Sequence, residues 1–263
     1  MQRYDFFLKY ANMNETFYHI LPSGSQIVVR NVPSEVVYLG IMVGAGPRHE
    51  AEDVSGIAHY IEHCVFKGTL HHTARQIIRR VEDIGGEINA YTTKEETTFY
   101  AAVPRTYWKR TLHLLGEMVM QPTFPKKETD KEVQVIYDEI ESYNDSPSEL
   151  IYDDFESLIF RGSSLASPIL GTKKSLRHIS SRPDYALRFM QEHYRPERMV
   201  FFCQGNINAK NFAEEVGKMM EIAPNQAFPP QGKDVIQRVE SGKLRMENGE
   251  ERIQTYKKHT HQT

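Results

Sequence analysis

His59-Tyr60-Ile61-Glu62-His63 decides the reading of this 263-residue chain. Two imidazoles stand four residues apart, with a carboxylate just before the second. On an α-helix successive residues turn by about 100°, so His63 lies about 40° round from His59 on one side and Glu62 about 60° round on the other. All three side chains project from one face over a single turn. Two neutral imidazoles so placed can grip one metal ion. An adjacent acid that does not bind the metal can take a proton from a water that the metal holds. Turn signals flank this helix: Asp53 or Ser55 is the expected cap and Gly68 the expected stop. Ile57, Ile61 and Cys64 or Val65 form the face that packs.

Upstream, Thr16 to Leu21 and Gln26 to Val32 flank Pro22-Ser23-Gly24-Ser25 and read as a hairpin. Val36 to Val43 is an apolar run that ends at glycines, a buried strand. Downstream, Thr73 caps a helix with the apolar stripe Ile77, Ile78, Val81 and Ile84, which Gly85-Gly86 ends. Glu87 to Thr92 and Thr97 to Val103 read as two strands around a charged turn. Pro104 to Met120, Lys126 to Tyr143, Ser148 to Phe160, Pro183 to His193 and a segment capped by Asn208 read as helices, and Met199 to Gln204 as a strand. The expected fold is an α+β sandwich, a mostly antiparallel sheet with helices packed on it. Residues 1–15 read as an N-terminal extension and 16–223 as the domain. Residues 224–263, where Pro, Gln, Gly and charge take over, read as a linker and the start of a truncated second domain.

Hydrophobic residues make up 40% and charged residues 25%, an ordinary balance for a globular chain, and the net charge is −3. Neither nucleic acid nor a membrane surface is an expected partner. No apolar run approaches the roughly 20 residues that span a bilayer. Only two cysteines occur, Cys64 and Cys203, which excludes a disulfide framework and fits a reducing, cytoplasmic location. Both read as small buried hydrophobes. His71-His72 reads as a solvated pair, and Trp108 as core or amphipathic surface.

A catalytic zinc site needs three protein ligands and an open position. The best candidate for the third lies in Lys131-Glu132-Val133-Gln134-Val135-Ile136-Tyr137-Asp138-Glu139-Ile140. Glu132 and Glu139 are seven apart and fall within about 20° of each other on one helix face, near Val135, Ile136 and Ile140. Acids beside an apolar stripe are costly to bury unless they meet a cation. Glu139 would then be the ligand and Glu132 an acid that orients a histidine or the water. Alternatively both are solvated surface acids, since Glu favours helices.

His59-Tyr60-Ile61-Glu62-His63-Cys64-Val65-Phe66-Lys67-Gly68-Thr69 resembles the H-x-x-E-H-x-x-F-x-G-T signature of the pitrilysin family of zinc peptidases, the inverzincins, whose members include insulin-degrading enzymes and mitochondrial processing peptidases. Gly85-Gly86-Glu87-Ile88-Asn89-Ala90-Tyr91-Thr92 is similar to that family's G-x-x-x-N-A-x-T strand. Glu139 follows His63 by 76 residues, as the family's third ligand does. The resemblance spans roughly Thr16 to Ala223.

The resemblance implies that His59, His63 and Glu139 bind one zinc ion, that Glu62 is the general base, and that Glu132 supports the site. Asn89 and Ala90 would hold an extended peptide or unfolded segment on an edge strand, where unpaired main-chain groups can accept another strand. It also implies a second homologous half, in the same chain or a partner, that closes over the substrate. Two other readings stand beside the endopeptidase: a non-enzymatic half of a paired peptidase, and a metal-dependent lyase of the S-ribosylhomocysteine type, in which Cys203 would be the third ligand.

Overall fold

The computed structural model describes residues 16–182, 184–222, 239–240 and 243–244. The expected N-terminal extension, and nearly all of the expected linker and second-domain start, lie outside the described residues. Two compact units divide the chain, 1–229 and 230–263. In the second, Val239–Glu240 pairs antiparallel with Lys243–Leu244.

The first unit is built on a six-stranded sheet: β1 (Thr16–Ile20), β2 (Gln26–Asn31), β3 (Val36–Val43), β4 (Glu87–Thr92), β5 (Thr97–Pro104) and β6 (Met199–Gly205). Their spatial order is β1-β2-β6-β3-β5-β4, and every pairing is antiparallel except β2 with β6. The α+β expectation, with a mostly antiparallel sheet, is met. Period-2 alternation gives the sheet one continuous apolar face. Ile27, Val29, Val37, Leu39, Ile41, Phe99, Ala101, Val103, Phe201 and Cys203 all lie on it, buried, and in register from strand to strand.

Among the described residues, eight α-helices accompany the sheet: α1 (Ile57–Cys64), α2 (Ala74–Glu82), α3 (Trp108–Met120), α4 (Lys126–Asn144), α5 (Pro147–Ile159), α6 (Lys173–Ser181), α7 (Asp184–His193) and α8 (Ala209–Ile222). α3 packs over β3 and β5, α8 over β2, and α1 beside β4. Trp108 is core, with its ring 5.7 Å from that of Phe212. Thr73 caps α2 in a capping box with Gln76, and Asn208 accepts from the Asn211 amide at the start of α8, both as expected.

Three local expectations are corrected. Pro104 closes β5 rather than opening a helix; a 3-10 turn at Arg105–Tyr107 intervenes, and α3 starts at Trp108. α6 was not foreseen: its sequence is mostly polar and buries only Ser175, Leu176 and Ile179, too short an apolar stripe to stand out. Val135 is exposed, while Ile136 is fully buried on the neighbouring side of α4.

The cap of α1 is also different. Neither Asp53 nor Ser55 provides it; the N-cap is Gly56, at φ 89°. A Cβ there would come within 2.7 Å of the Gly171 Cα and 2.8 Å of the Leu170 carbonyl oxygen. Left-handed backbone and close approach both require glycine. Gly56→Ala is expected to destabilise the domain by at least about 2 kcal/mol, combining backbone strain with displacement of the Leu170–Gly171 segment. Chemical denaturation of the two proteins checks this.

Candidate metal centre

The orphan amides that begin α1 are met by a carboxylate from outside the helix. Glu50 accepts from the Gly56 N–H at 2.7 Å and the Ala58 N–H at 2.9 Å, one through each oxygen. An anion at a helix N-terminus also complements the macrodipole. Burial pushes the Glu50 carboxyl up to about 7, against the pull of the two amides and of Lys94. The folded state therefore holds this proton more tightly than the unfolded chain. The associated stability is present below about pH 4.5 and is lost as pH rises through about 7, by up to about 3 kcal/mol. Glu50→Gln should remove that slope. It should also leave one buried amide of α1 unpaired, at a cost of about 1–3 kcal/mol. Urea unfolding of both proteins at pH 5 and pH 7.5 reads the difference directly.

The buried positions of α1 fix its rotation. Ile57, Ala58, Tyr60, Ile61 and Cys64 pack inward, His59 is buried with them, and Glu62 and His63 are half-buried. The two imidazole rings lie 4.5 Å apart, edge to face. α4 packs against α1 and brings Glu139 in front of both rings. Its carboxylate oxygens lie 3.7 Å from His59 Nε2 and 3.4 Å from His63 Nε2. The first distance is too long for a hydrogen bond. Both are close to the roughly 3.3–3.5 Å that separates two ligands of one tetrahedral zinc, given bonds of about 2.0–2.2 Å. The two contacts are made by different oxygens of the carboxylate, and two imidazoles with a carboxylate between them suit a zinc ion by donor type.

Glu132, about two turns earlier on the same face of α4, supports this arrangement. His63 Nδ1 donates to Glu132 Oε1 at 2.9 Å, which leaves Nε2 turned towards Glu139. The other Glu132 oxygen takes Lys67 Nζ at 2.6 Å. Glu132 is buried, whereas Glu139 is exposed and faces the imidazoles.

Charge follows burial. Desolvation, with some repulsion from His63, lowers the His59 pKa to about 4, so this ring is neutral and able to ligate at pH 7. Burial also lowers that of His63, but Glu139 and Glu132 outweigh it and leave the net shift upward. The hydrogen bond from His63 holds Glu139 below its usual range. Metal uptake would displace the His63 proton, as ligation by histidine requires. His59 Nδ1 is buried with no partner among the described residues.

Glu62 occupies the other side of the histidine pair. By proximity alone it could be the third ligand, since one atom each of His59, Glu62 and His63 lie within 4.8 Å of one another. Its own bonding points elsewhere: the Thr92 hydroxyl donates to Glu62 Oε2 at 2.5 Å. Burial raises the Glu62 carboxyl above its usual range, and Thr92 offsets part of that. Among the described residues, Cys203 belongs to no such group. It is buried in β6 opposite Val29 and Leu39, with its thiol pushed up to about 12 by burial.

Thr92 ends β4, one of the two edge strands of the sheet and unpaired on its outer side among the described residues. The Thr93 N–H donates to the Glu96 carbonyl at 2.8 Å, and antiparallel alternation from that pair turns the main-chain groups of Thr92, Ala90 and Ile88 outward. The Ala90 N–H meets the Asn89 side-chain oxygen at 2.8 Å. An open ladder edge therefore runs into the residue that holds Glu62. Lys67, Thr92 and Glu50 were not foreseen as parts of the site. The His71-His72 expectation is half corrected: His71 is exposed, whereas His72 is part-buried and its Nδ1 lies 3.0 Å from Glu117.

Residues 26–173 match the family model described as insulinase, peptidase family M16. A Bacillus subtilis protein named uncharacterized zinc protease YmxG is 36% identical over 197 residues, which cover 74% of this chain and 47% of that protein. A probable mitochondrial-processing peptidase subunit beta of Arabidopsis thaliana is 30% identical, over 81% of this chain and 42% of its own length. The structure of a protease from Helicobacter pylori superposes with a TM-score of 0.74 at 23% identity, covering 80% of this chain and 50% of that one. The chain thus spans about half the length of the curated relatives it matches. The family model accounts for more than half of the chain, and we conclude that it belongs to the insulinase family of peptidases, M16.

Proposed function

We propose that this chain is the metal-bearing half of a zinc-dependent endopeptidase that hydrolyses peptides or unfolded segments. His59, His63 and Glu139 hold one zinc ion. The observation that carries this reading is the Glu139 carboxylate facing both Nε2 atoms at 3.4 and 3.7 Å, from a different helix. Zinc, when bound, supplies Lewis acidity for the scissile carbonyl and for water. The remaining work belongs to the chain. Glu62 takes the proton of the attacking water and passes it to the leaving amine, and Thr92 keeps its carboxylate aimed. Glu132 orients His63 and is itself neutralised by Lys67.

Substrate lies along β4 as an added strand, bonded to the outward groups of Ala90 and its neighbours, with Asn89 displaced from the Ala90 N–H. Recognition through main chain gives wide tolerance of side chains. A second half, in the same polypeptide or a partner, completes the enclosure; the half-length match to the relatives supports this. The two buried thiols fit a reducing, cytoplasmic setting, which is part of the proposal.

Purified chain should take up one zinc per molecule, and cleavage of an unfolded protein substrate should rise and fall with zinc content. Failure to bind zinc at micromolar free ion rejects the reading.

A further inference from the structure

Tyr194 follows directly on α7, the helix that packs against α1, and its N–H donates to the Met190 carbonyl at 2.8 Å. Its side chain is fully buried. A phenylalanine would fill the same space without taking an oxygen out of water, so the hydroxyl costs stability unless it bonds. At ordinary hydrogen-bond length it has no partner among the described residues. Burial raises its pKa, the Thr97 hydroxyl draws it back, and the Glu62 carboxylate adds to the rise, so both groups stand near it. Contacts of this kind in an unliganded active site are often long and tighten only with substrate.

Thr97 stands directly opposite Thr92 in the β4–β5 ladder, with the two side-chain oxygens 3.5 Å apart. Counting protons fixes which group donates to which, since each hydroxyl has one. That of Thr92 goes to Glu62 Oε2 at 2.5 Å, and that of Thr97 to the Ala45 carbonyl at 2.9 Å. Thr97 Oγ1 is then left as an acceptor, and two O–H groups face it, those of Thr92 and Tyr194. We infer that Tyr194 is a positioning residue for the general base: it donates to Thr97 Oγ1 and so keeps the Thr92 proton on Glu62 throughout the reaction. This rests on the peptidase reading above. While Glu62 is ionised, its charge alone holds Thr92, because a hydrogen bond to a charged acceptor is roughly twice as strong as a neutral one. Once Glu62 has taken the proton of the attacking water, that advantage is gone, and Thr97 Oγ1 becomes an acceptor of comparable strength. A Thr92 hydroxyl that turned to Thr97 would free the Glu62 carboxyl to rotate before it protonates the leaving amine. With Tyr194 donating to it, Thr97 both donates and accepts, and its pull on the Thr92 proton is weakest.

In the full chain, Tyr194→Phe should lower kcat on an unfolded substrate about five- to tenfold, the worth of one neutral hydrogen bond, with KM, zinc content and unfolding midpoint unchanged. Tyr194→Phe/Thr97→Val, which also removes the competing oxygen, should recover most of the lost kcat, a rescue that a merely structural role does not give. A second readout needs no hydrolysis. Three-bond couplings of the Thr92 methyl report its side-chain rotamer, and Glu62→Gln imitates the protonated carboxyl. The rotamer should stay single in Glu62→Gln and average in Glu62→Gln/Tyr194→Phe. Turnover of Tyr194→Phe at the wild-type rate, activity lost in step with zinc or stability, absence of rescue in a folded double variant, or a Thr92 rotamer indifferent to Tyr194 each overturns the inference. Zinc-loaded wild type that cleaves nothing counts against the peptidase reading instead, and the methyl couplings then decide the hydroxyl arrangement on their own.

Discussion

Glu62→Gln should abolish measurable peptide hydrolysis, lowering the rate at least about 10³-fold, while zinc content stays at the wild-type level. Glutamine has the same shape and keeps an oxygen for the Thr92 hydroxyl, which donates to Glu62 at 2.5 Å. It cannot accept a proton. General-base assistance is worth about 10²–10⁴ in rate, so the expected loss lies within that range. Burial raises the Glu62 carboxyl above its usual range, which makes it a readier proton acceptor. The measurement is cleavage of an unfolded substrate together with metal analysis of the same preparation. Full activity rejects the role. Loss of zinc along with activity assigns Glu62 to the metal instead, the arrangement that proximity alone would suggest.

How much of this could be read from the chain depends on separation along it. His59, Glu62 and His63 lie within one helical turn, so their shared face follows from helix geometry without any tertiary information. The partnership of Glu139 does not. Pattern alone left Glu132 and Glu139 as either site acids or surface acids, and only the resemblance placed Glu139 at a metal. In the structure Glu139 faces the two imidazoles because α4 packs on α1, with Ile136 and Val133 in the core. The strands were legible because alternation over six to eight residues is a strong local signal. Glu50 was not. Its carboxylate reaches six and eight residues ahead across a 3-10 turn and a left-handed glycine, so no cap rule based on the adjacent residue could find it. Thr92 was invisible as a partner of Glu62 for a related reason: a strand end and a helix 30 residues apart meet only once the sheet edge is in place. α5 was legible as a helix, but the side it turns to the body is marked by Lys94, outside the helix, which Asp153 and Glu156 reach.

The second large effect separates the two acids of α4. Glu139→Gln should weaken zinc binding by well over about 100-fold, because an amide in place of a ligating carboxylate removes the charge that offsets the ion. Glu139 is exposed, and among the described residues its ion-pair contacts are the two imidazoles, so folding without metal should be nearly unaffected. Glu132→Gln should behave differently. Its loss leaves His63 without the acceptor that fixes its tautomer, a change expected to lower zinc affinity about 10–100-fold. It also leaves Lys67 without its ion-pair partner, so this variant alone should lose stability in the metal-free state. Competition with a chromogenic chelator gives the affinities, and unfolding in chelator gives the stabilities. The expected order of affinity is wild type and Glu62→Gln first, Glu132→Gln next and Glu139→Gln last. An inverted order, with Glu139→Gln binding zinc like the wild type, would mean that the convergence of α1 and α4 serves packing and not a metal, and the proposed ligand set would have to be abandoned.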